Sequence, residues 1–194
     1  NIICLIENFG LICFKDQYSI RPLILGKKGN NYLISSESIS LSSLDYDILT
    51  DIYNNEIYIF NDKINHIKLG LDYKIKPCIF EWVYLAREET IMYEVNVYEA
   101  RFKMGEYLTN KIKKIIPTDL LKEIDYIVPI PDTSKPCALS ISKNLNICYC
   151  EGITKNRYVN RTFIMDTQDK RKKNIKRKLN VVNHLIENKN LIVV

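Results

Sequence analysis

Short apolar runs separated by turn-forming residues fill the first 75 positions of the chain. Strand-like runs occupy residues 2–5, 11–14, 23–25, 32–34, 56–60 and 64–69. Residues 8–10, 27–30 and 61–63 are rich in Asn, Gly, Asp and Lys and predict hairpin connections. Residues 38–49 leave room for one short helix, with Ser36 or Ser38 as its cap. This pattern predicts the end of an antiparallel sandwich.

The pattern changes near residue 76. Residues 79–85 follow Pro77 and are apolar apart from Glu81, which predicts a buried strand. Apolar residues then recur at spacings of three and four between residues 97 and 115, which predicts an amphipathic helix of about five turns. Pro117 ends this helix. Gly105 lowers helix propensity within it and indicates a close packing contact.

Strands and helices alternate in the remaining chain. Helical segments are predicted at 118–124 and 136–145, with Ser134 as a cap, and strands at 126–130, 147–149 and 191–194. Such alternation predicts an open α/β sheet with parallel strands. The fold class is therefore mixed α/β (α+β), with two domains at residues 1–75 and 76–194.

Composition excludes several classes of protein. Of the 194 residues, 46% are hydrophobic and 26% are charged, which is typical of a globular protein. Because no run of about 18 apolar residues and no basic leader is present, we expect neither a membrane segment nor a signal peptide, and a cytoplasmic protein. The six cysteines form no Cys-x-x-Cys pair, and only two histidines could join them. We expect reduced, mostly buried thiols and no zinc site.

The positive charge of the chain is local. The net charge is +5, yet residues 170–178 alone contribute seven cations. Three interpretations remain for this cationic run: a solvated surface, a phosphate- or nucleotide-attracting segment, or a nucleic-acid contact. Because no aromatic residue interrupts the run, it offers no platform for stacking bases, and we expect no nucleic-acid partner.

Two segments carry candidate binding chemistry. Residues 131–134, Pro-Asp-Thr-Ser, follow a predicted strand and begin a helix, where backbone N–H groups and the Thr133 hydroxyl suit a phosphate or its metal ion. Lys155, Tyr158 and Arg161 lie shortly after. Cations, hydroxyls and amides placed in this way favour a ligand with several phosphates. The alternative is that Thr133 and Ser134 only cap the helix.

These segments also resemble a known family. The strings KNRYVNRTFIM, PIPDTS, KRKKNIKRKLN, CIFEWVYLARE and DQYSIRPLILG are similar to segments of amidophosphoribosyltransferase and occur in the family's order. The resemblance implies an interior fragment of this glycosyltransferase. In the family, ammonia from glutamine is delivered to phosphoribosyl pyrophosphate in the first committed step of purine synthesis. Residues 1–75 would end an N-terminal-nucleophile glutaminase sandwich, and residues 76–194 would begin a type I phosphoribosyltransferase sheet.

The resemblance also implies roles for individual residues. Thr133 would assist Mg²⁺ and phosphoribosyl pyrophosphate, with Ser134 beside it. Lys155, Tyr158 and Arg161 would lie on a loop that closes over this substrate, although Asn160 replaces a family Gly and residues 165–168 read MDTQ where MPGQ is expected. Purine nucleotides would act as feedback inhibitors near the cationic run, and the intact enzyme would form a homo-oligomer.

Several family features fall outside the chain. The Cys nucleophile of the glutaminase would lie upstream of Asn1, and Cys4 cannot replace it because that chemistry needs a free α-amino group on the same residue. Two adjacent acids would follow Val194. We therefore expect no catalytic residue within the chain and no turnover by the chain alone. An iron–sulfur ligand of some relatives falls near Cys78, but its partners would also lie beyond Val194, so we expect no cluster.

Other matched residues have structural alternatives. Asp16–Leu23 contains Arg21, which we expect to be an ion-pair partner, and residues 36–38 match a family Ser-Glu-Ser turn. Tyr84 and Arg87 would line the ammonia passage between the two sites or pack at the domain junction. Two other functions remain open: a non-catalytic purine-sensing regulator with this fold, and a decayed remnant of the enzyme.

Overall fold

The computed structural model of the chain describes residues 1–70, 74–156, 158 and 167–194, and only the backbone of residues 170, 171, 173 and 174. The chain divides into two compact units, Asn1–Tyr98 and Glu99–Val194. The assignment of residues 1–75 and 76–194 to two functional domains stays a prediction. None of the helices in the described ranges is long and apolar enough to cross a membrane.

Two antiparallel sheets form most of the first unit. One has the order β1-β2-β6-β7 and the other the order β4-β3-β5. Their strands are β1 Ile2–Ile6, β2 Gly10–Phe14, β3 Ile24–Lys28, β4 Asn31–Ser35, β5 Asp47–Asp51, β6 Glu56–Phe60 and β7 Ile64–Lys68. Cys13 and Tyr58 from the first sheet and Leu25 from the second belong to one buried cluster. The predicted strands and hairpins in this region are confirmed, and the two sheets share a core.

The predicted helix at residues 38–49 is only partly correct. Helix α1 spans Ser38–Ser42, and residues 47–49 belong to β5. The helix begins after Glu37, which makes no capping hydrogen bond, so the predicted cap at Ser36 or Ser38 is wrong. The Ser38 hydroxyl instead accepts a hydrogen bond from the Ile91 amide at 2.7 Å. The Ser38 side chain, which local propensity predicts to cap the helix, therefore makes a tertiary contact instead.

The predicted buried strand at residues 79–85 is wrong. Residues Glu81–Leu85 form one π-helical turn, in which Glu81 and Trp82 are buried. Ile79, Phe80 and Tyr84 are more than half exposed. A short apolar run has no periodicity that separates a strand from a helical turn, so the sequence pattern could not decide between them. Two short strands, β8 Ile91–Met92 and β9 Val95–Asn96, follow as a hairpin.

A parallel three-stranded sheet organises the second unit. Its order is β11-β10-β14, and both outer strands pair with β10 in parallel. The elements are α2 Val97–Ile115, α3 Thr118–Lys122, β10 Tyr126–Val128, α4 Lys135–Leu145, β11 Cys148–Tyr149 and β14 Leu191–Val193. Ile127 packs with Ala138 and Ile141 of α4 in the core of this unit. The predicted order of strands and helices, and their parallel pairing, are confirmed.

The predicted close contact at Gly105 is also confirmed. A Cβ atom built there would lie 2.5 Å from the Cys137 carbonyl oxygen and 2.6 Å from Ser140 Cβ. Because those distances are far below ordinary carbon contacts, only glycine lets α2 approach α4 this closely. Helix α2 thus contacts α4 at Gly105, and α4 packs against the sheet through Ala138 and Ile141.

A two-stranded ribbon was not predicted. Strand β12 Ile153–Lys155 pairs in antiparallel fashion with β13 Leu179–Val181. Helix α5, Gln168–Lys178, contains the cationic run and leads directly into β13, and α6 spans Asn183–Ile186. Only three residues, 150–152, separate β11 from the ribbon, so the ribbon lies beside the parallel sheet.

Candidate functional site

The carboxyl ends of the three parallel strands meet at one edge of the sheet. The Ile130 amide donates to the Val194 carbonyl at 2.7 Å, and the Cys150 amide donates to the Ile127 carbonyl at 3.0 Å. The turn 131–134 follows β10 at this edge. Ligands of open α/β sheets bind past the carboxyl ends of the strands, so this carboxyl edge is the candidate site.

Thr133 and Ser134 occupy the turn between β10 and α4. Ser134 is the residue that precedes α4, as predicted, but its hydroxyl donates to the Ile130 carbonyl at 2.7 Å and makes no capping bond. The alternative that both hydroxyls merely cap the helix is therefore wrong for Ser134. Thr133 itself is half-buried. The bond from Ser134 fixes the turn, which holds Thr133 at the edge of the sheet.

Lys155 reaches this turn from the ribbon. Its ammonium group lies 2.9 Å from the carboxylate of Asp132, the residue beside Thr133. Lys155 is the last residue of β12 and pairs with Leu179, and the next amide, that of Asn156, donates to the Lys178 carbonyl at 2.7 Å. The ribbon therefore fixes the backbone from which Lys155 extends, and the structure brings two of the predicted site segments together.

A second ion pair lies at the same edge and was missed in the sequence. Lys135, at the start of α4, donates to both oxygens of Glu151 at 3.0 and 2.9 Å, and the Tyr149 hydroxyl lies 3.2 Å from one of them. The hydrogen bond from Lys135 lowers the pKa of Glu151 below its ordinary value. The pair joins the helix start to the end of β11. No motif marks it, because the two residues meet only through the strand pairing.

Tyr158 and Arg161 are the other residues predicted to bind the substrate. The Tyr158 side chain is 97% exposed, and its amide donates to the Asn156 side chain at 3.0 Å. Arg161, with residues 157 and 159–166, lies outside the described residues. In α5 the described cations Lys172, Lys176 and Arg177 are exposed, which favours the solvated-surface interpretation, and Lys178 is half-buried.

A cavity of about 640 Å³ lies at the opposite edge of the sheet. It is lined by residues before β10 and β11, among them Asp125 and Asn146. Asp125 accepts from the Asn190 amide at 2.9 Å and from Lys189 at 3.2 Å, and the Asn190 bond is the main cause of its lowered pKa. These contacts join the amino ends of β10 and β14. We infer that these contacts stabilise the fold and do not bind a ligand, because open α/β folds bind ligands at the carboxyl ends of their strands.

In the first unit, Arg21 is an ion-pair partner, as predicted. Its guanidinium lies 2.7 Å from the carboxylate of Glu81. Burial raises the pKa of Glu81 against the opposing effect of Arg21. Tyr84 is half exposed, and Arg87 pairs with Glu89 at 2.9 Å. Their role beside an ammonia passage stays a prediction.

The matched Ser-Glu-Ser turn has a structural role. One carboxylate oxygen of Glu37 accepts from the Arg87 amide at 2.9 Å and from the Thr90 hydroxyl at 2.7 Å. Together with the bond from Ile91 to Ser38, these contacts fix residues 87–91 against α1.

The structure gives no sign of a preformed metal centre in its described part. No group of three or more His, Cys, Asp or Glu side chains within residues 1–70, 74–156 and 167–194 could hold a metal ion. All six cysteines are free thiols. Only Cys13 is buried, and burial raises its pKa to about 11, whereas Cys4 and Cys148 are exposed. The expectation of mostly buried thiols is therefore wrong, because apolar runs on edge strands stay accessible.

Known proteins match the whole chain. It is 39% identical to amidophosphoribosyltransferase of Pseudomonas aeruginosa, with 100% of this chain and 39% of that protein covered. The Escherichia coli protein of this name is also 39% identical over 99% of the chain, with 39% of its own length covered. The protein of this name from Schizosaccharomyces pombe is 34% identical over 99% of the chain, again with 39% covered. The chain is a homologue of the amidophosphoribosyltransferases. It spans about 39% of the length of these relatives.

Solved structures agree with this relationship. Glutamine phosphoribosylpyrophosphate amidotransferase from B. subtilis, complexed with ADP and GMP, matches with a TM-score of 0.79 and 26% identity, covering 95% of this chain and 39% of that one. A structure described as the allosteric regulatory enzyme of purine biosynthesis matches with a TM-score of 0.80 and 26% identity, covering 95% and 38%. No family model matches the chain. Because the matched amidophosphoribosyltransferases are enzymes, neither a regulator nor a decayed remnant is favoured.

Proposed function

We propose that this chain is part of an amidophosphoribosyltransferase and that its carboxyl edge binds phosphoribosyl pyrophosphate. In this proposal the intact protein transfers ammonia from glutamine to phosphoribosyl pyrophosphate and releases pyrophosphate. The observation that carries the proposal is the 2.9 Å approach of Lys155 to Asp132, which places a cation beside Thr133 at the end of β10. A cation and a hydroxyl at the carboxyl end of a parallel sheet suit a pyrophosphate group.

The finer domain assignment belongs to the same proposal. Residues 1–75 would form the end of a glutaminase sandwich, which the shared core of the two antiparallel sheets supports. Residues 76–194 would begin a type I phosphoribosyltransferase domain, which the parallel order β11-β10-β14 supports. A cytoplasmic location and a homo-oligomeric intact enzyme are further parts of this proposal.

The proposed metal is Mg²⁺, and the residues at the turn fit it in a limited way. Thr133 offers one hydroxyl oxygen, a ligand type that Mg²⁺ accepts. Magnesium in nucleotide and phosphate sites is usually held by substrate phosphates, waters and one or two protein oxygens. Thr133 would therefore hold a magnesium ion that the pyrophosphate group also ligates. Bound there, the ion would neutralise charge on the pyrophosphate, and Lys155 would add a second positive charge.

Purine nucleotides are proposed as regulators. The B. subtilis structure is described as complexed with ADP and GMP. In this chain Lys176 and Arg177, exposed cations in the last turn of α5, would attract such anions. This role of α5 is distinct from the substrate site at Thr133.

Isothermal titration calorimetry can test the proposed substrate site. Phosphoribosyl pyrophosphate with magnesium would be titrated into the 194-residue chain and into Thr133→Val and Lys155→Gln variants. Each variant removes a contact to a charged ligand, worth about 1.5–3 kcal/mol, so we expect affinity to fall by roughly 10- to 150-fold.

Lys113→Gln is the matched control for this experiment. It removes the same charge from an exposed position on α2, beside the cavity at the opposite edge of the sheet. We expect a change of less than about threefold, because distant exposed charges are screened by salt. Equal losses in Lys155→Gln and Lys113→Gln would indicate a general charge effect and contradict the site. Unchanged binding in Thr133→Val would contradict the role of its hydroxyl.

A further inference from the structure

Lys155, the cation of the proposed site, already forms an ion pair with an acidic side chain. The Asp132 carboxylate lies 2.9 Å from the ammonium group of Lys155, and both side chains are partly exposed. This distance is that of a charge-assisted hydrogen bond between an ammonium group and a carboxylate or phosphate oxygen. The carboxylate thus stands where an oxygen of an anionic ligand would bind Lys155.

Both residues of this ion pair lie on backbone that is held by hydrogen bonds. The Asp132 carbonyl accepts from the Lys135 amide at 3.2 Å in the turn before α4. Lys155 lies at the paired end of β12. An incoming anion therefore meets Lys155 already engaged, and it must break one ion pair to form another.

We infer that Asp132 is an internal counter-ion of Lys155 that holds this lysine at the site and competes with the anionic ligand for it. The inference rests on the proposed function. Asp132 is a positioning residue in this account, since it acts through Lys155. It lowers the affinity for pyrophosphate by the free energy of the pair it forms. A purely structural role would give the opposite sign, because removal of the carboxylate would then loosen the turn and weaken binding.

The partial exposure of Lys155 and Asp132 sets the expected size of the effect on pyrophosphate affinity. Ion pairs between partly exposed side chains are weak, so release of Lys155 should tighten anion binding by about two- to fivefold. Asp132→Asn removes the negative charge while its side chain keeps nearly the same shape. Inorganic pyrophosphate is the probe, titrated by calorimetry into the 194-residue chain at about 0.15 M salt, where the Debye length is about 8 Å. Magnesium is chelated, so that only side-chain contacts are measured.

Glu151→Gln is the matched control variant. It removes the same charge at the same edge, from the ion pair with Lys135. We expect pyrophosphate affinity to rise less in Glu151→Gln than in Asp132→Asn. In a Lys155→Gln background, Asp132→Asn should have no effect, because the pair to be broken is already absent.

Four outcomes decide the question. Tighter binding in Asp132→Asn that disappears in the Lys155→Gln background supports the inference. Unchanged or weaker binding in Asp132→Asn, while the unsubstituted chain binds pyrophosphate, overturns the inference and leaves the proposed function standing. A gain that persists without Lys155 also overturns it, since the effect is then general repulsion. No pyrophosphate binding by any variant contradicts the proposed function and this inference together.

Discussion

The ammonium group of Lys15 lies 2.6 Å from the hydroxyl of Tyr93, although the two residues are 78 positions apart. The Tyr93 hydroxyl in turn donates to the Ser19 carbonyl at 2.8 Å, and the Tyr93 amide donates to Asp51 at 3.0 Å. Lys15 is only 5% exposed. Burial lowers the pKa of Lys15 to about 8, against the attraction of Asp51, Asp16 and Glu56.

Stability should depend on pH through Lys15. The folded chain releases this proton near pH 8, whereas the unfolded chain keeps it to about 10.5. Between these values the unfolded state binds more protons, so the free energy of unfolding should rise with pH by up to about 1.4 kcal/mol per unit. Urea unfolding of the chain and of Lys15→Met between pH 7 and 9.5 isolates this contribution. We expect the free energy of unfolding of the unsubstituted chain to increase relative to that of Lys15→Met as pH rises.

The control for this prediction is Lys103→Met, at an exposed position of α2. Its difference from the unsubstituted chain should stay constant over the same pH range. A constant difference for Lys15→Met as well would mean that Lys15 titrates normally, and would contradict its burial.

Removal of the Glu37 carboxylate should destabilise the first unit. Thr90 is fully buried and donates its hydroxyl to Glu37 at 2.7 Å. Glu37→Ala leaves this hydroxyl without its acceptor, which costs about 1–3 kcal/mol. Glu37→Gln keeps an acceptor oxygen and should cost less. Urea unfolding at pH 7 measures both, and a double variant Glu37→Ala with Thr90→Val should recover part of the loss. Equal stability of the Ala and Gln variants would show that the hydrogen bond is unimportant.

Gly105→Ala should destabilise the second unit. The new Cβ would lie 2.5 Å from the Cys137 carbonyl oxygen and 2.6 Å from Ser140 Cβ. Overpacking of this kind typically costs about 1–3 kcal/mol, which exceeds the gain of about 1 kcal/mol in helix propensity. Thermal unfolding monitored by circular dichroism measures the change in stability. Addition of Ser140→Gly should restore part of the stability, because it removes one of the two atoms in conflict. A net increase in stability for Gly105→Ala alone would refute the close contact.

The order of the second unit was predictable because its signals are strong. The run that ends at Val194 and the run before Pro129 are apolar and β-branched, which is typical of buried parallel strands. Gly105 within a regular helical pattern has few explanations other than packing. The carboxyl edge of the sheet, with Thr133, followed from these elements and the general location of ligands in such folds.

Other features depend on contacts that no local pattern contains. Strand β5 includes two aspartates, which strand propensity disfavours, and the Asp51 carboxylate accepts a hydrogen bond from the Tyr93 amide. The ribbon of β12 and β13 joins segments 24 residues or more apart by only three pairs of residues. The ion pairs of Lys155 and Lys135 exist only because this ribbon and β11 end beside the turn after β10. Sequence periodicity carries no information on such pairings.

Two-dimensional ¹H–¹⁵N NMR of the labelled chain, titrated with phosphoribosyl pyrophosphate and magnesium, tests the central claim most directly. The account predicts that the largest shift changes fall on the amides of Asp132, Thr133 and Ser134 and on Lys155 in β12. Amides around the cavity at the opposite edge, such as Asn146, should change little. Largest changes at Asn146 and Asp125, or no saturable change at residues 132–134, would contradict the account.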